Sequence, residues 1–484
     1  MRADLKPFIR DFSKELREQN AAIFAGAGLS IPSGVVDWKG LLREIAEDLE
    51  LDVDKEPDLV RVAQYHVNKW GNNRDKIHRA LLEEFSRNLK PNANHEKLAD
   101  LPIPTFWTTN YDTLIEDALK ATGKIVDVKH DVKQLTQTRP RRDATVYKMH
   151  GDVTLPTNAV LTRQDFERYH KSRKEFLRAL SGDLVSKTFL FVGCSFSDPN
   201  LDYVLSRISA EWTENQRQHY FFVRKAVKGA NEATGDFAYR KRREEFFAGD
   251  LQRFGLRPVW LEDYYEIPLI LDELRKIYRQ DTVFVSGAAH EYSAPWNEDG
   301  ALGFARSLAM RLVSEQLKLV SGFGLGIGSA VIAGALEQVL MHQKQPLHDQ
   351  LVTRPFPQAS GSMDHTRLRS LWTQYRRQMI GQSGVAIFLF GNKADRNTGK
   401  VVLSDGMREE FEIAKEEGLL IVPIGATGSM AEALWQEVKL SFATLYPYAC
   451  KSIQDAFEAL NAKELTSDQL LEKTMEFINL IRRN

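Results

Sequence analysis

Apolar residues fall into two patterns along this chain. Some form short, near-continuous blocks of strand length; others recur every three or four positions within charged stretches. A block without alternation reads as a strand buried on both faces, and the three-to-four spacing reads as one face of a helix. The chain opens with the second pattern: Leu5, Phe8, Ile9, Phe12 and Leu16 share one helical face. Packing on its own domain is the simplest use of that face, and an oligomer contact is the alternative. Residues 21–28 then read as the first buried strand, running into glycines. A charged, helix-forming stretch follows from about Trp38 to Lys97, punctuated by Pro57 and Gly71. Further strands are expected at Thr105–Thr108, Ala144–Lys148 and Thr188–Gly193. The helical stretch ILDELRKIYRQ follows Leu269, and the strand pattern restarts at Thr282–Gly287. KLVSG, VAIFLFGNK and LLIVPIGATG then repeat the same sequence of strand and turn. A domain boundary is therefore expected near Gln280, giving 1–280 and 281–484. Apolar strands alternating with helices make both halves α/β, each a doubly wound parallel sheet, the first with a helical insertion.

Composition narrows the class. With 43% hydrophobic and 27% charged residues, the 484-residue chain is typical of a soluble globular protein. A formal net charge of -1 and the lack of a long basic run argue against nucleic acid as a partner. The two cysteines, Cys194 and Cys450, can build neither a disulfide framework nor a cysteine zinc site. No metal is expected. The charged start MRADLKPFIRDF lacks an apolar signal core, and runs such as VAIFLF are too short to span a bilayer. A cytoplasmic protein without membrane contact is expected.

Two glycine-rich loops carry the candidate chemistry. AAIFAGAG ends at Gly28 and LKLVSGFGLGIG ends at Gly328, each directly after an apolar strand. Tightly spaced glycines there let backbone approach a phosphate, with a following helix N-terminus facing the charge. Two such loops suggest two nucleotide sites, one for chemistry and one for sensing. In the first half, GAGLSIPSGVVDWK, TTNYD, HGD and VGCS occur in that order, each just past an expected strand. In an open parallel sheet the carboxyl ends of the strands form the ligand crevice. Ser30, Asn110, Asp112, His150 and Ser195 should therefore converge on one site.

This ordered set, spanning about residues 20–200, resembles the sirtuin family of NAD-consuming enzymes. The first segment is similar to the sirtuin GAGxSxxSGIPDFR loop, TTNYD to TQNID, His150-Gly151 to the HG pair, and the segment holding Ser195 to GTS. The resemblance implies a Rossmann-like site with NAD as substrate. Gly26, Ala27 and Ser30 would hold its phosphates, and Asn110 and Asp112 would lie near the nicotinamide ribose. His150 would be the general base, with Asn110 beside it in catalysis. Gly28, Asp37 and Ser195 complete the implied cofactor-binding set. The chemistry suits these types. Nicotinamide leaves NAD as its ribose gains oxocarbenium character; asparagine can donate and accept hydrogen bonds, and histidine can remove a proton near neutrality. Two departures matter. The four-cysteine zinc module of sirtuin deacylases is missing, and PDFR becomes Val36-Asp37-Trp38-Lys39. Without an acyl-peptide channel, water is the simplest acceptor, and hydrolysis to nicotinamide and ADP-ribose is expected. The stretch from about 40 to 100 could serve as a lid.

In the second half, the loop holding Gly322 and Gly324, with Ser286-Gly287 at the end of an upstream strand, is suited to phosphate. Arg376 and Lys393 could clamp phosphates, and Glu410 could accept bonds from ribose hydroxyls. This half resembles the SLOG superfamily of nucleotide-binding domains, related to the Lonely Guy phosphoribohydrolases. The catalytic PGGxGTxxE segment becomes LSDGMREEF, which keeps Glu410 but loses the double glycine and threonine. That favours sensing over hydrolysis.

The two halves together resemble the NAD-consuming effectors of bacterial Thoeris antiphage defence. AAIFAGAGLS, WTTNYD, VYKMHGD, LSGDLVSKTFLFVG, VSGFGLG and RPFPQ look like direct signatures of that family. The resemblance implies activation by a cyclic ADP-ribose isomer supplied by a TIR-domain partner enzyme. It also implies a homo-tetramer, NAD depletion, and signal binding by Arg376, Lys393 and Glu410. The competing readings are an NAD-dependent protein deacylase and a non-catalytic nucleotide sensor.

Overall fold

The computed structural model describes residues 2–85, 87–196, 199–211, 217–342, 350–354, 365–395 and 398–482. The chain divides into two compact units, Met1–Arg275 and Lys276–Asn484. The division falls inside the helix Glu266–Arg279.

The first unit is built on seven strands: β1 (Ala21–Ala25), β2 (Thr105–Thr108), β3 (Val126–Lys129), β4 (Ala144–Lys148), β5 (Thr188–Val192), β6 (His219–Arg224) and β7 (Leu256–Leu261). Their order in the sheet is β3-β4-β2-β1-β5-β6-β7, and every pairing is parallel. The central strands β1 and β5 are buried throughout, as their unbroken apolar runs require, and Phe24 stacks on Phe191 with centroids 5.2 Å apart. The expected opening helix spans Lys6–Arg17. Its apolar face packs on the unit's own sheet, where Phe8 meets Tyr220 at 5.0 Å and Phe222 at 5.8 Å.

The helical insertion comprises Trp38–Glu47, Leu59–Lys69, Asp75–Phe85 and Ala93–Asp100. Pro57 and Gly71 fall in its breaks, as their helix-breaking character predicts. The insertion packs around Leu42, Ile45, Ala63 and Leu81, a cluster that also takes in Tyr111, Ala159 and Leu161 from the rest of the unit. A two-pronged ion pair ties it to the rest of the unit. Arg74 donates from Nη1 to Asp165 Oδ1 at 3.0 Å and from Nη2 to Oδ2 at 2.6 Å. Burial works against ionisation of Asp165, but Arg74 and the backbone N–H groups of Thr162 and Leu161 outweigh it and hold the carboxyl below its ordinary value.

The second unit has a five-stranded parallel sheet formed by β8 (Thr282–Ala288), β9 (Lys318–Ser321), β10 (Leu351–Thr353), β11 (Val385–Phe390) and β14 (Leu420–Pro423). Its order is β10-β9-β8-β11-β14. A separate antiparallel ribbon joins β12 (Asn392–Ala394) to β13 (Val401–Leu403). β11 is fully buried along its six apolar residues. Among the described residues, no helix is long and apolar enough to cross a membrane.

Candidate functional site

β1 lies between β2 and β5, so the loops leaving these three strands diverge at one end of the first sheet. That is the topological switch point where open α/β sheets bind ligands. A cavity of about 980 Å³ opens there, lined by Gly26, Ala27, Gly28, Asp37, His150 and Ser195 among others. A smaller cavity of about 30 Å³ is lined by Ser30, Asn110 and Asp112, and it shares Ala27, Asp37 and Thr109 with the larger one. All nine site residues expected in the first half thus line one of two cavities that share walls.

The glycines do more than approach a ligand. A Cβ at Gly26 or Gly28 would run into the backbone of Gly193, and a Cβ at Gly193 would run into Leu29 N and Gly28. Gly193 also has φ +69°. The turns after β1 and β5 therefore interlock backbone to backbone. The glycine turn does not lead straight into a regular helix, as the loop pattern suggests. Two short 3-10 turns, Ala27–Leu29 and Ile31–Ser33, come first. The first regular helix begins at Trp38, capped by Asp37, whose Oδ1 accepts from Gly40 N at 2.9 Å.

Asn110 is held from three sides. Its backbone N–H donates to Thr108 Oγ1 at 2.9 Å, and its Nδ2 donates to Gly26 O and to Ser30 Oγ, both at 3.1 Å. Asn110 Oδ1 and Asp112 Oδ2 are buried acceptors with no hydrogen-bond donor among the described residues. Asp112 Oδ1 accepts from Leu114 N at 3.1 Å. His95 is buried nearby and accepts from Asn92 N at 3.3 Å. Burial pushes its pKa down to about 4, with the charge of Asp112 opposing that shift.

His150 is only 2% exposed and lies two residues past the end of β4. Its backbone is fixed on both sides. Met149 N donates to Thr108 O at 2.9 Å, and His150 O accepts from Val160 N at 2.9 Å. Met149 O accepts from Tyr169 OH at 3.0 Å and from Arg173 Nη1 at 3.2 Å. Gly151 turns the chain away at φ +92°. The imidazole meets the edge of Phe166 at 5.3 Å and 76°.

Sequence reasoning passed over the charges behind this wall. Lys148, fully buried, donates to Tyr111 O at 3.2 Å and to Asp112 O, and it pairs with Asp152 and with Glu116 at 3.2 Å. Burial opposes its charge, but the carboxylates around it, Glu116 and Asp152 foremost, raise its pKa. Burial also opposes ionisation of Asp152, and Lys148 overcomes it. Burial drives the Glu116 carboxyl upward. The available signal was a lysine closing an otherwise uncharged strand.

In the second unit, Ser286, Arg376 and Glu410 meet. Ser286 Oγ donates to Glu410 Oε2 at 2.6 Å, and Arg376 Nε donates to Glu410 Oε1 at 3.3 Å. Arg376 Nη1 also donates to Glu409 at 2.6 Å. Glu410 is buried, which pushes its carboxyl up despite Arg376. Lys393 pairs with Asp405 at the start of the helix Asp405–Glu416, and Arg376 Nη2 lies against Gly406 on the same turn. Gly322 is buried. Gly287 packs under Ile327 and Leu389, and a Cβ at Gly324 would overlap Gly287 O. Of the RPFPQ segment, residues 355–358 lie outside the described residues. Among the described residues, no group of three or more His, Cys, Asp or Glu could hold a metal ion.

Two family models match this chain. Residues 104–245 match the SIR2-like domain, and residues 266–481 match the Sir2- and TIR-associating SLOG family. The chain is 47% identical to the NAD(+) hydrolase ThsA of Bacillus cereus (strain MSX-D12), over 98% of each chain. It is 44% identical to the NAD(+) hydrolase ThsA of Acinetobacter baumannii (strain 532279), over 97% of each. A defense-associated sirtuin 2 of Bacillus subtilis is 25% identical over 41% of this chain and 20% of its own length. Two proteins that align end to end at such identity share one architecture and one family, and this chain belongs to the ThsA family.

Proposed function

We propose that the first unit hydrolyses NAD+ to nicotinamide and ADP-ribose, and that a cyclic ADP-ribose isomer bound to the second unit switches this activity on. The observation that carries the first part is the pair of buried acceptors, Asn110 Oδ1 and Asp112 Oδ2, that have no donor among the described residues and line the small cavity adjoining the one lined by His150. An amide NH2 supplies the donors such acceptors lack, and nicotinamide carries one. The large cavity then takes the rest of the dinucleotide, with only the carboxamide end reaching the small one. Asn110, already oriented by Gly26 and Ser30, faces the ribose, and His150 removes a proton from the attacking water. The named relatives support hydrolysis over deacylation. In the second unit, the convergence of Arg376, Ser286 and Glu410 supports an anionic, ribose-bearing signal. In this reading a TIR-domain enzyme makes the signal, the chain works as a homo-tetramer in the cytoplasm, and NAD depletion serves antiphage defence.

The test is NAD loss and nicotinamide release by purified protein, with and without cyclic ADP-ribose isomers, beside His150→Ala. Turnover that requires one isomer and falls about 10²–10⁴-fold in the variant is expected for loss of a general base. Wild-type rates in His150→Ala would remove His150 from catalysis. Nicotinamide release only in the presence of an acylated peptide would favour the deacylase.

A further inference from the structure

Lys148 stands at the last position of β4, in register with Thr108 at the end of β2. Two residues beyond Thr108 is Asn110, and two residues beyond Lys148 is His150. The ammonium reaches back across this gap to the carbonyls of Tyr111 and Asp112, within the loop that carries Asn110. It also holds the carboxylate of Asp152, just past His150. We propose that Lys148 is a positioning residue, which fixes the separation of Asn110 and His150 by clamping the loop after β2 to the loop after β4. This rests on the NAD-hydrolase reading of the site.

The donor count explains why the residue is a lysine. An ammonium has three N–H donors. Tyr111 O, Asp112 O and Asp152 use them, and among the described residues both Glu116 carboxyl oxygens are left without a hydrogen-bond donor. An apolar residue at 148 would strand two loop carbonyls and a carboxylate away from water, and the chain would relieve that by moving the loops apart.

The decisive variants are Lys148→Met and Lys148→Gln, the second keeping two N–H donors. Each is assayed well below its own melting midpoint, with NAD affinity measured separately by calorimetry. A misplacement of about 1 Å costs up to about 10²-fold in rate. The expected result is a fall in kcat of that order for Lys148→Met, a smaller fall for Lys148→Gln, and little change in Kd. A purely structural lysine would lower the midpoint and leave kcat per folded molecule unchanged. Histidine-labelled protein gives a readout that needs no turnover. The His150 imidazole signal, assigned by its loss in His150→Ala, should shift or double in either variant while the other histidine signals stay in place. If Lys148→Met does not fold, Lys148→Gln carries both measurements. Unchanged kcat together with an unchanged His150 signal would overturn the proposal. Failure of wild-type protein to cleave NAD would overturn the function reading instead, with the His150 signal still deciding the role of Lys148.

Discussion

At the scale of single residues, burial decides what each charge can do. Glu116 is buried with Lys148 as its ion partner, and that partner's donors go elsewhere. Burial therefore raises its carboxyl above the ordinary 4.5. Above that pH an unfolded chain releases this proton while the folded chain keeps it. The folded state then binds more protons, so its stability falls as pH rises from 4.5 toward the raised folded value. Glu116→Gln removes the titration. Its melting temperature relative to wild type should be lowest below pH 4.5 and should climb in the variant's favour as pH rises. A difference that stays constant with pH would mean that folding does not raise the Glu116 carboxyl. The same comparison separates Glu116 from Asp152, which Lys148 holds ionised and whose contribution is lost as pH falls.

At the scale of elements, the interlocked turns after β1 and β5 are the feature on which the site depends. Gly193 and Gly34 both have positive φ, +69° and +88°, but only Gly193 has backbone where a Cβ would sit. Ala at a left-handed position costs about 1–2 kcal/mol from backbone sterics alone. Gly34→Ala should lose about that much in chemical unfolding of the NAD-free protein. Gly193→Ala should lose distinctly more and should weaken NAD binding, because the turn carrying Gly26 and Gly28 must retreat. Equal losses would show that the interlock is not tight. This contact also marks the limit of what the chain spells out. The apolar blocks of β1, β5 and β11 are legible because strands buried on both faces need apolar residues throughout. β3 (VDVK) and β7 (LRPVWL) are not, because edge strands tolerate charge and proline. The glycines are visible, but their partner is a glycine far along the chain, and no local spacing reports it. Lys148 is hidden for the opposite reason: a hydrophobic pattern discards the one charged residue in a strand, here the residue that holds the loops.

At the scale of the whole molecule, the question is how a signal in one unit could switch on an enzyme in the other. A ligand moves a two-state equilibrium only by its differential affinity for the states. A change from 1:99 to 99:1 takes about 10⁴-fold preference, or roughly 5.5 kcal/mol. One charge-assisted contact contributes about 1.5–3 kcal/mol, so several must cooperate within a site or across an oligomer. Arg376 is the natural lever because its guanidinium is already committed to Glu409 and Glu410. An anionic ligand would have to share that guanidinium or draw it away, and Glu410 would respond because Arg376 opposes the upward push that burial gives its carboxyl. Arg376→Ala should therefore leave a cooperative melt and unliganded NAD turnover in place while shifting activation. Loss of a contact worth about 2 kcal/mol raises the half-activating concentration roughly thirtyfold. The shape of the titration carries further information. If Arg376 binds the signal equally in both states, the curve moves to higher concentration and reaches the wild-type plateau. If it binds only in the active state, the plateau falls as well, because the preference that drives the switch is itself reduced. A titration superimposable on wild type would place the signal elsewhere in the second unit.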